Sequence, residues 1–217
     1  MKIAILGGTG RQGPGLALRW ALAGEEVIIG SRSQERAEKT ASELNAEIGD
    51  ARIRGMENPQ AAEAAEIVVL TVPYAAHLST LETVKTQVQG KIVVDVSVPL
   101  DPENPRRMKM PPEGSATEEA QAFLGPATKV VAAFQNLSAS SLRDPHHAVD
   151  CDVLVCGDDA EAKKTVMRLV ATMGLSSFDV GPAENARVIE GLTSILIRLN
   201  IRHKVKESGL RLTGLPR

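Results

Sequence analysis

The chain of 217 residues carries 25 basic and 27 acidic side chains, and this net charge of -2 argues against a general binder of nucleic acids or anionic membranes. Aromatic residues, at 2%, are too few for the stacking surfaces of single-strand-binding proteins. Hydrophobic residues at 43% and charged residues at 24% are ordinary for one globular core with at most a small appendage. Because no apolar run reaches membrane-spanning length and the N-terminus reads as a strand instead of a signal peptide, we expect a soluble, cytoplasmic protein.

The chain opens on a predicted strand–turn–helix–strand unit. The predicted strand at residues 2–6 is apolar after Lys2, as in a strand buried on both faces of a parallel sheet. Gly8, Gly10 and Gly13 follow with G-x-G-x-x-G spacing, which permits a tight turn, close approach of a pyrophosphate, and helix–strand packing. Residues 16–30 then show helical apolar spacing and a second apolar strand. The unit predicts a dinucleotide with its phosphates at the helix N-terminus; the alternative is a structural turn without a ligand.

The end of the second strand predicts which dinucleotide is bound. An NAD site usually carries Asp or Glu about twenty residues past the glycines, where it accepts hydrogen bonds from the ribose hydroxyl. Here the sequence is Gly-Ser-Arg at 30–32. Ser31 can donate to a phosphate oxygen, Arg32 can bind it bidentately, and Arg36 follows one helical turn later. We therefore predict NADP in preference to NAD; the alternative for both arginines is a solvated helix start.

Strands and helices continue to alternate along the chain. Further strands are predicted at 51–55, 67–72, 91–96, 129–134, 152–156 and 175–180. Further helices are predicted at 34–44, 58–65, 76–88 and 117–124, then up to Met173, and finally at 186–205. This order predicts an α/β fold with a doubly wound, mostly parallel sheet, whose ligands bind at the carboxyl ends of the strands.

Some segments leave two interpretations open. Residues 100–114 are rich in proline and basic residues, and are either a functional loop or a mobile surface excursion. Cys151 and Cys156 are expected to be buried, reduced thiols, because a zinc site with the adjacent His146 and His147 has poor geometry and a disulfide is unconvincing.

Four motifs spread along the chain carry a resemblance to a known family. They are Ile-Leu-Gly-Gly-Thr-Gly at 5–10, Gly-Ser-Arg at 30–32, Leu-Thr-Val-Pro at 70–73 and Val-Cys-Gly-Asp-Asp at 155–159. Over nearly its whole length the sequence resembles the coenzyme F420-dependent NADP oxidoreductases. The resemblance implies a Rossmann-type NADP-binding domain at 1–150, a small C-terminal α/β domain at 151–217, a homodimer, and hydride transfer between NADP and the deazaflavin coenzyme F420.

The resemblance also implies roles for individual residues. The pyrophosphate would be held by four residues of the turn, Thr9, Gly10, Arg11 and Gln12. The 2′-phosphate would be held by Ser31, Arg32 and Arg36, and the nicotinamide would be lined by Val72, Pro73 and Ala139. Gly209 would approach the cofactor pair from the C-terminal domain. The sequence departs from the family at Tyr74 and at Gln135-Asn136, where the family carries a Trp and a His.

The residues themselves indicate no acid, base, nucleophile or metal set, which suits hydride transfer because the cofactors supply that chemistry. His77 is a candidate proton donor, although a lone His at a helix start is more often structural. An NADP-dependent reductase of a flavin, imine or carbonyl, and a non-enzymatic NADP sensor, remain alternatives. Two groups of basic residues are candidates to attract the acidic tail of F420. They are Arg106, Arg107 and Lys109 in the loop, and Arg202, Lys204, Lys206 and Arg211 near the C-terminus. The alternative is that the first group is a solvated loop and the second a helix end whose charges complement the helix dipole.

Overall fold

The computed structural model describes residues 1–145 and 148–216, so His146 and His147 lie outside the described residues. The strands are β1 (Lys2–Leu6), β2 (Glu26–Ser31), β3 (Ile53–Glu57), β4 (Ile67–Leu70), β5 (Ile92–Asp95), β6 (Leu100–Asp101), β7 (Asn104–Met108), β8 (Lys129–Ala132), β9 (Val153–Val155) and β10 (Ser177–Asp179). The helices are α1 (Gly13–Leu22), α2 (Gln34–Ile48), α3 (Asn58–Ala64), α4 (His77–Val84), α5 (Ala116–Leu124), α6 (Ala139–Arg143), α7 (Ala160–Thr172) and α8 (Ala186–His203).

A six-stranded parallel sheet forms the centre of the molecule, in the order β3-β2-β1-β4-β5-β8. The register pairs Ile3 with Val27 on one side and with Ile67 on the other. All four residues of β4 are buried, as the apolar sequence of a central parallel strand requires. The order reverses at β1, since β2 and β4 flank it, and such a switch point is where open α/β sheets bind ligands at the carboxyl ends of their strands. The predicted α/β fold is confirmed.

Residues 151–216 add a second, smaller layer to the sheet. β9 and β10 pair in parallel as a separate two-stranded sheet, and an isolated bridge joins Ala132 to Cys156. Val153 and Val155 belong to the same buried cluster as Ile3, so this layer shares the apolar core of the central sheet. None of the described helices is long and apolar enough to cross a membrane.

The structure contains a hairpin and a short helix that the sequence analysis did not predict. Residues 100–114, expected to be irregular, contain the antiparallel hairpin β6–β7. The hairpin was not predicted because Pro102 and Pro105 interrupt the strand pattern. Proline is nevertheless compatible with a short pair of strands outside the main sheet. The five-residue helix α6 is also absent from the predicted elements, because a single helical turn leaves too short an apolar pattern.

Candidate functional site

The turn between β1 and α1 is shaped by glycines with different requirements. Gly7 has a φ of +70°, which L side chains rarely adopt. A Cβ on Gly13 would lie 2.5 Å from the Cα of Gly8, so only glycine allows the turn to pack against the helix. Gly10 is exposed, and a Cβ there would meet the Gly7 carbonyl oxygen at 3.1 Å and little else. The backbone at Gly10 is therefore accessible to a ligand from solvent, and internal packing restricts this position less than it restricts Gly13.

The N-terminus of α1 has the features of an anion site. Its first turn contains no acidic residue, and the N-cap residue Gln12 makes no side-chain capping bond. The amide of Gln12 instead donates a hydrogen bond of 3.0 Å to the Phe134 carbonyl oxygen beyond β8. The free N–H groups and the helix dipole thus face the turn without a competing carboxylate. Thr9 is partly exposed and Arg11 is exposed, which leaves both side chains accessible beside this helix end.

The predicted 2′-phosphate residues lie next to the glycine turn. The Gly8 N–H donates to the Gly30 carbonyl oxygen at 2.9 Å, which fixes the end of β2 against the turn. Ser31 is 5% exposed, whereas Arg32 and Arg36 are exposed. Within the described parts of the chain, neither guanidinium has a hydrogen-bond or ion-pair partner. This pair of uncommitted cations, one after β2 and one in the first turn of α2, fits a phosphate monoester.

On the other side of the turn lies the end of β4. A Cβ on Gly7 would come within 2.5 Å of Val72 Cγ1, so the turn and Val72 are in direct contact. The Thr71 hydroxyl donates to the Leu6 carbonyl oxygen at 2.9 Å and holds the two strand ends together. Val72 is 9% exposed and Pro73 is exposed. Val72 and Pro73 therefore form an apolar wall beside the glycine turn, at the end of β4.

The C-terminal tail meets the loop after β8. Ala139 is the first residue of α6, and the preceding Ser138 hydroxyl donates to the Lys206 carbonyl oxygen at 3.0 Å. A Cβ on Gly209 would lie 2.9 Å from Cys151 Cβ, which explains the need for glycine there. Gly209 thus borders the same loop as Ala139, although the two residues are far apart in the sequence.

The loop after β8 is held in an unusual backbone conformation. Phe134 has a φ of +75°, which is rare for a non-glycine residue and is typical of strained functional positions. Its carbonyl oxygen accepts from Gln12 and from the Leu137 N–H at 3.1 Å. Its ring packs edge-on against Trp20 of α1, with 5.7 Å between centroids. The pyrophosphate turn and the loop after β8 are therefore mechanically linked.

A buried charge network lies beneath the ends of β4 and β5. His77 is 1% exposed, and its Nε2 and Nδ1 lie 2.8 Å from carboxylate oxygens of Asp95 and Glu119, respectively. Burial alone would lower the pKa of His77, but the charge of Asp95 and the hydrogen bonds to both carboxylates outweigh it and raise the pKa to about 9. Because carboxylates occupy both ring nitrogens, the imidazolium orders this region and has no free nitrogen to offer a substrate.

Tyr74 joins this network from the loop after β4. Its hydroxyl donates to Glu119 at 2.9 Å, and its ring lies 5.6 Å from the His77 ring. Burial and the bond to Glu119 both raise the pKa of Tyr74, so the phenol stays protonated. The residue that departs from the family pattern is thus fixed in place by the charge network.

A second buried carboxylate ties α8 to α5. Glu190 accepts from the N–H groups of Ala116 and Thr117 and from the Thr117 hydroxyl, at 2.9 to 3.1 Å. Burial and the charge of Asp95 raise the pKa of Glu190 to about 8, although these hydrogen bonds act in the opposite direction. Glu190 therefore caps α5 from the C-terminal helix.

The sequence analysis did not select Asp95, Glu119 or Glu190. A signal existed for Asp95, because one charge stands inside the apolar run at 92–96 and a buried charge needs a partner. Glu119 and Glu190 carry no comparable signal, since acidic residues are common on amphipathic helices. Cys151 and Cys156 are both buried, as predicted, and burial raises the pKa of the Cys156 thiol to about 12.

The two predicted basic groups are closer to each other than their sequence positions indicate. Arg106 and Arg107 are exposed on β7, and Arg198 Nε of α8 donates to the Arg106 carbonyl oxygen at 3.0 Å. Arg202 follows one turn later on the same helix. Arg211, in contrast, lies 2.8 Å from Asp150 and is already ion-paired.

Known proteins share this architecture and much of the sequence. The family described as coenzyme F420-dependent NADP oxidoreductase matches residues 2–99. The F420-dependent NADP reductase of Methanothermobacter thermautotrophicus is 47% identical, covering 100% of this chain and 96% of that protein. The F420-dependent NADP reductase of Methanocaldococcus jannaschii is also 47% identical, covering 99% of both. A crystal structure from an Arthrobacter species, assigned as an F420-dependent NADP reductase, superposes with a TM-score of 0.84 at 30% identity, covering 98% of this chain and 99% of that one.

Proposed function

The chain belongs to the family of F420-dependent NADP reductases and is an oxidoreductase, and from this premise we propose that it transfers a hydride between NADP(H) and the deazaflavin coenzyme F420. The observation that carries the proposal is the 47% identity over the whole chain to reductases named for both cofactors. The two cofactors supply the hydride chemistry, and the protein supplies binding, orientation and an enclosed site.

We propose that the NADP half of the site extends from β2 to β4 across the glycine turn. The backbone at Thr9, Gly10, Arg11 and Gln12, with the α1 N-terminus, binds the pyrophosphate. The support is the exposed, side-chain-free Gly10 beside a helix end without acidic residues. Ser31, Arg32 and Arg36 bind the 2′-phosphate, supported by the two guanidiniums without partners among the described residues.

We propose that the hydride passes at the end of the apolar wall. Val72 and Pro73 on one side and Ala139 on the other line the nicotinamide, and Gly209 borders the acceptor. The support is the contact between Val72 and the glycine turn, and the hydrogen bond that ties the Ala139 loop to the C-terminal tail. Val72 and the buried end of β4 limit the access of water to this wall.

We further propose a cytoplasmic homodimer whose chains each comprise residues 1–150 and 151–217 as two units. A self-association surface is supported by α8, where Val188, Ile195 and Leu199 are 66%, 52% and 40% exposed. With Leu192 they follow the alternating four- and three-residue spacing of a helix–helix seam. The separate sheet of β9 and β10 supports the division into two units, although they share one core.

The test is a direct reaction between the two coenzymes. Purified protein is mixed with NADPH and oxidised F420, and the deazaflavin absorbance should disappear at a rate proportional to enzyme concentration. NADH at equal concentration serves as the control and should react far more slowly. If NADPH binds but F420 is not reduced, while a free flavin, an imine or a carbonyl compound is, then the acceptor assignment is wrong. If no acceptor is reduced, an NADP-binding protein without catalysis becomes the better description.

A further inference from the structure

A cluster of buried ionisable side chains beneath the ends of β4 and β5 is not used by the proposed hydride chemistry. Its members are Tyr74, His77, Asp95 and Glu119. Asp95 is fully buried, and His77 and Glu119 are 1% and 9% exposed. Buried ion pairs contribute little to stability, because desolvation offsets their attraction and apolar residues of similar volume often stabilise a fold as well. The cluster therefore calls for a role other than stability.

The hydrogen bonds of the cluster join separate elements of the fold. His77 begins α4, and its Nε2 and Nδ1 lie 2.8 Å from Asp95 Oδ2 of β5 and Glu119 Oε2 of α5. The Tyr74 hydroxyl donates to Glu119 Oε1 at 2.9 Å, and the Ser97 N–H donates to Asp95 Oδ1 at 2.9 Å. All four carboxylate oxygens thus have a partner, so the geometry of the cluster is fixed.

The segment that this cluster holds carries the apolar wall of Val72 and Pro73. At the start of the segment, the N–H and the hydroxyl of Thr71 both donate to the last carbonyl oxygen of β1, at 3.0 and 2.9 Å. The Ala76 N–H donates to the Pro73 carbonyl oxygen at 2.8 Å and closes the turn that leads into His77. The wall is therefore attached to β1 at one end and to the cluster at the other.

The cluster keeps all its hydrogen bonds only when His77 is an imidazolium. A neutral imidazole has one N–H and would leave one of the two carboxylates without a donor. Burial lowers the pKa of His77, but the charge of Asp95 and the hydrogen bonds to both carboxylates raise it to about 9. Glu113, ahead of α5, and Glu190 of α8 also act electrostatically on Tyr74, and their negative charges favour a cation in the cluster.

We propose that His77, Asp95 and Glu119 are positioning residues for the hydride transfer, which fix Val72 and Pro73 and thereby the nicotinamide ring. This inference rests on the proposed function, in which the nicotinamide lies against these two wall residues. The three ionisable residues act through the wall and not on the reacting atoms. Hydride transfer depends steeply on the approach of donor and acceptor, so a displaced wall slows the transfer while the phosphates still bind.

The experiment separates NADPH binding, nicotinamide mobility and hydride transfer. The mobility is read from the time-resolved fluorescence anisotropy of NADPH bound to the protein without an acceptor. The rate constant is measured by single-turnover mixing of NADPH-saturated protein with oxidised F420. His77→Gln should leave the NADPH dissociation constant nearly unchanged, lower the anisotropy, and lower the rate constant by about tenfold or more. Tyr74→Phe removes one hydrogen bond and no charge, and should show the same changes on a smaller scale.

The pH profile of the rate constant distinguishes a positioning role from a structural one. In the wild type the rate constant should be level at neutral pH and fall as the pH passes about 9, where His77 loses its proton. Glu119→Leu should slow the transfer, and Glu119→Gln should restore it at mildly acid pH. The Gln amide oxygen can accept from His77 and its nitrogen can donate to the Tyr74 hydroxyl oxygen. Because one carboxylate is lost, the fall should then begin at a lower pH than in the wild type.

Lys163→Met is the matched control for the loss of a buried cation. Lys163 of α7 is 8% exposed, and its Nζ donates to Asp179 and to the Gly181 carbonyl oxygen, at 2.8 and 3.1 Å. Its replacement should lower the Tm and leave the anisotropy and the rate constant unchanged.

Three results would overturn the proposal. One is that His77→Gln lowers the Tm but keeps the wild-type anisotropy and rate constant. Another is that Lys163→Met slows the transfer as much as His77→Gln does. The third is a wild-type rate constant that stays level above pH 9. If the wild type does not reduce F420 at all, the proposed acceptor is wrong, and the anisotropy of the complex with NADPH alone still decides whether the cluster positions the nicotinamide.

Discussion

At the scale of single residues, we propose that Arg32 selects NADP over NAD. Its guanidinium is exposed and free of partners among the described residues, so its replacement removes no internal contact. Arg32→Ala should weaken NADP binding by about 1.5–3 kcal/mol, the usual effect of losing a hydrogen bond between charged groups, and leave NAD nearly unchanged. Calorimetric titration with both dinucleotides measures this, and Arg168→Ala on exposed α7 is the control. Equal losses for NADP and NAD would contradict the assignment.

Replacing two glycines of the same turn should have different effects, one on NADPH binding and the other on stability. Gly10→Val adds a side chain at an exposed position where its Cβ closely meets the Gly7 carbonyl oxygen, at 3.1 Å, so the protein should still fold, with a modest loss of stability, and should lose NADPH binding. Gly13→Ala places a Cβ 2.5 Å from Gly8 Cα, so it should lower the free energy of unfolding. Thermal unfolding and equilibrium binding of NADPH, measured on both variants, separate these effects. NADPH affinity retained in Gly10→Val would show that the phosphates lie elsewhere.

The buried imidazolium of His77 should make stability depend on pH. Its folded-state pKa, about 9, lies above its unfolded value, so its contribution is complete below pH 6.5 and is lost as the pH rises toward 9. The free energy of unfolding, from urea titrations, should fall by up to about 3 kcal/mol over this range. Glu190 acts in the same direction up to about pH 8. The hydrogen bond to Glu25 raises the pKa of the N-terminal amino group above 8, so this group adds to the fall above pH 8, and the share of His77 is the part that its replacement removes.

His77→Gln should remove that dependence and destabilise the fold, because Asp95 and Glu119 then face each other without a cation. His203→Gln, at the exposed end of α8, is the control and should keep the wild-type profile. A wild-type profile that is flat between pH 8 and 9 would show that His77 is not held as an imidazolium.

At the scale of elements, helix α8 exposes apolar side chains to solvent and buries a carboxylate. Ile189 and Glu190 are buried, whereas the seam of Val188, Ile195 and Leu199 faces solvent. If this seam joins two protomers, Ile195→Asp should convert a dimer to a monomer without unfolding the chain, since Ile195 is 52% exposed. Sedimentation equilibrium of both proteins measures this, with Arg202→Asp as a control for added negative charge on the same helix. A wild-type chain that is already monomeric would contradict the proposed dimer.

Most elements follow from the sequence because their pattern is local. The apolar runs of β1 and β4, and the proline after Asn58 that starts α3, are signals within a few residues. The network of His77, Asp95 and Glu119 is different, because its members come from three elements and only the fold brings them together. In the candidate site, the glycines and arginines could be predicted from the sequence, because each group forms a motif of closely spaced residues.

At the scale of the whole molecule, the basic residues of β7 and of α8 lie on adjoining elements. The hydrogen bond from Arg198 to the Arg106 carbonyl oxygen holds the hairpin against the helix, so both groups contribute to one local potential. Replacing Arg106 and Arg107 by Ala, or Arg202 and Lys204 by Ala, should raise the KM for the polyglutamate-tailed coenzyme several-fold and reduce its salt dependence.

Reaction with NADPH and a tail-less deazaflavin should stay unchanged in both double variants. Lys164→Ala, on the exposed face of α7, is the matched control for the loss of a surface cation. Equal effects on tailed and tail-less acceptors would mean that neither pair of cations guides the tail. Non-additive effects of the two double variants on the rate of capture would indicate that both pairs act as one basic surface.

The contact between Trp20 and Phe134 gives the protein a built-in optical reporter. Trp20 is the single tryptophan of the chain and is fully buried, with its indole N–H bonded to the Leu169 carbonyl oxygen of α7. It lies in the helix whose N-terminus forms the proposed pyrophosphate site, and it touches Phe134 of the loop after β8. Its emission should therefore be blue-shifted in the native state and should be quenched when reduced nicotinamide, which absorbs at those wavelengths, binds nearby. One unlabelled fluorophore thus reports cofactor loading and unfolding in the same sample.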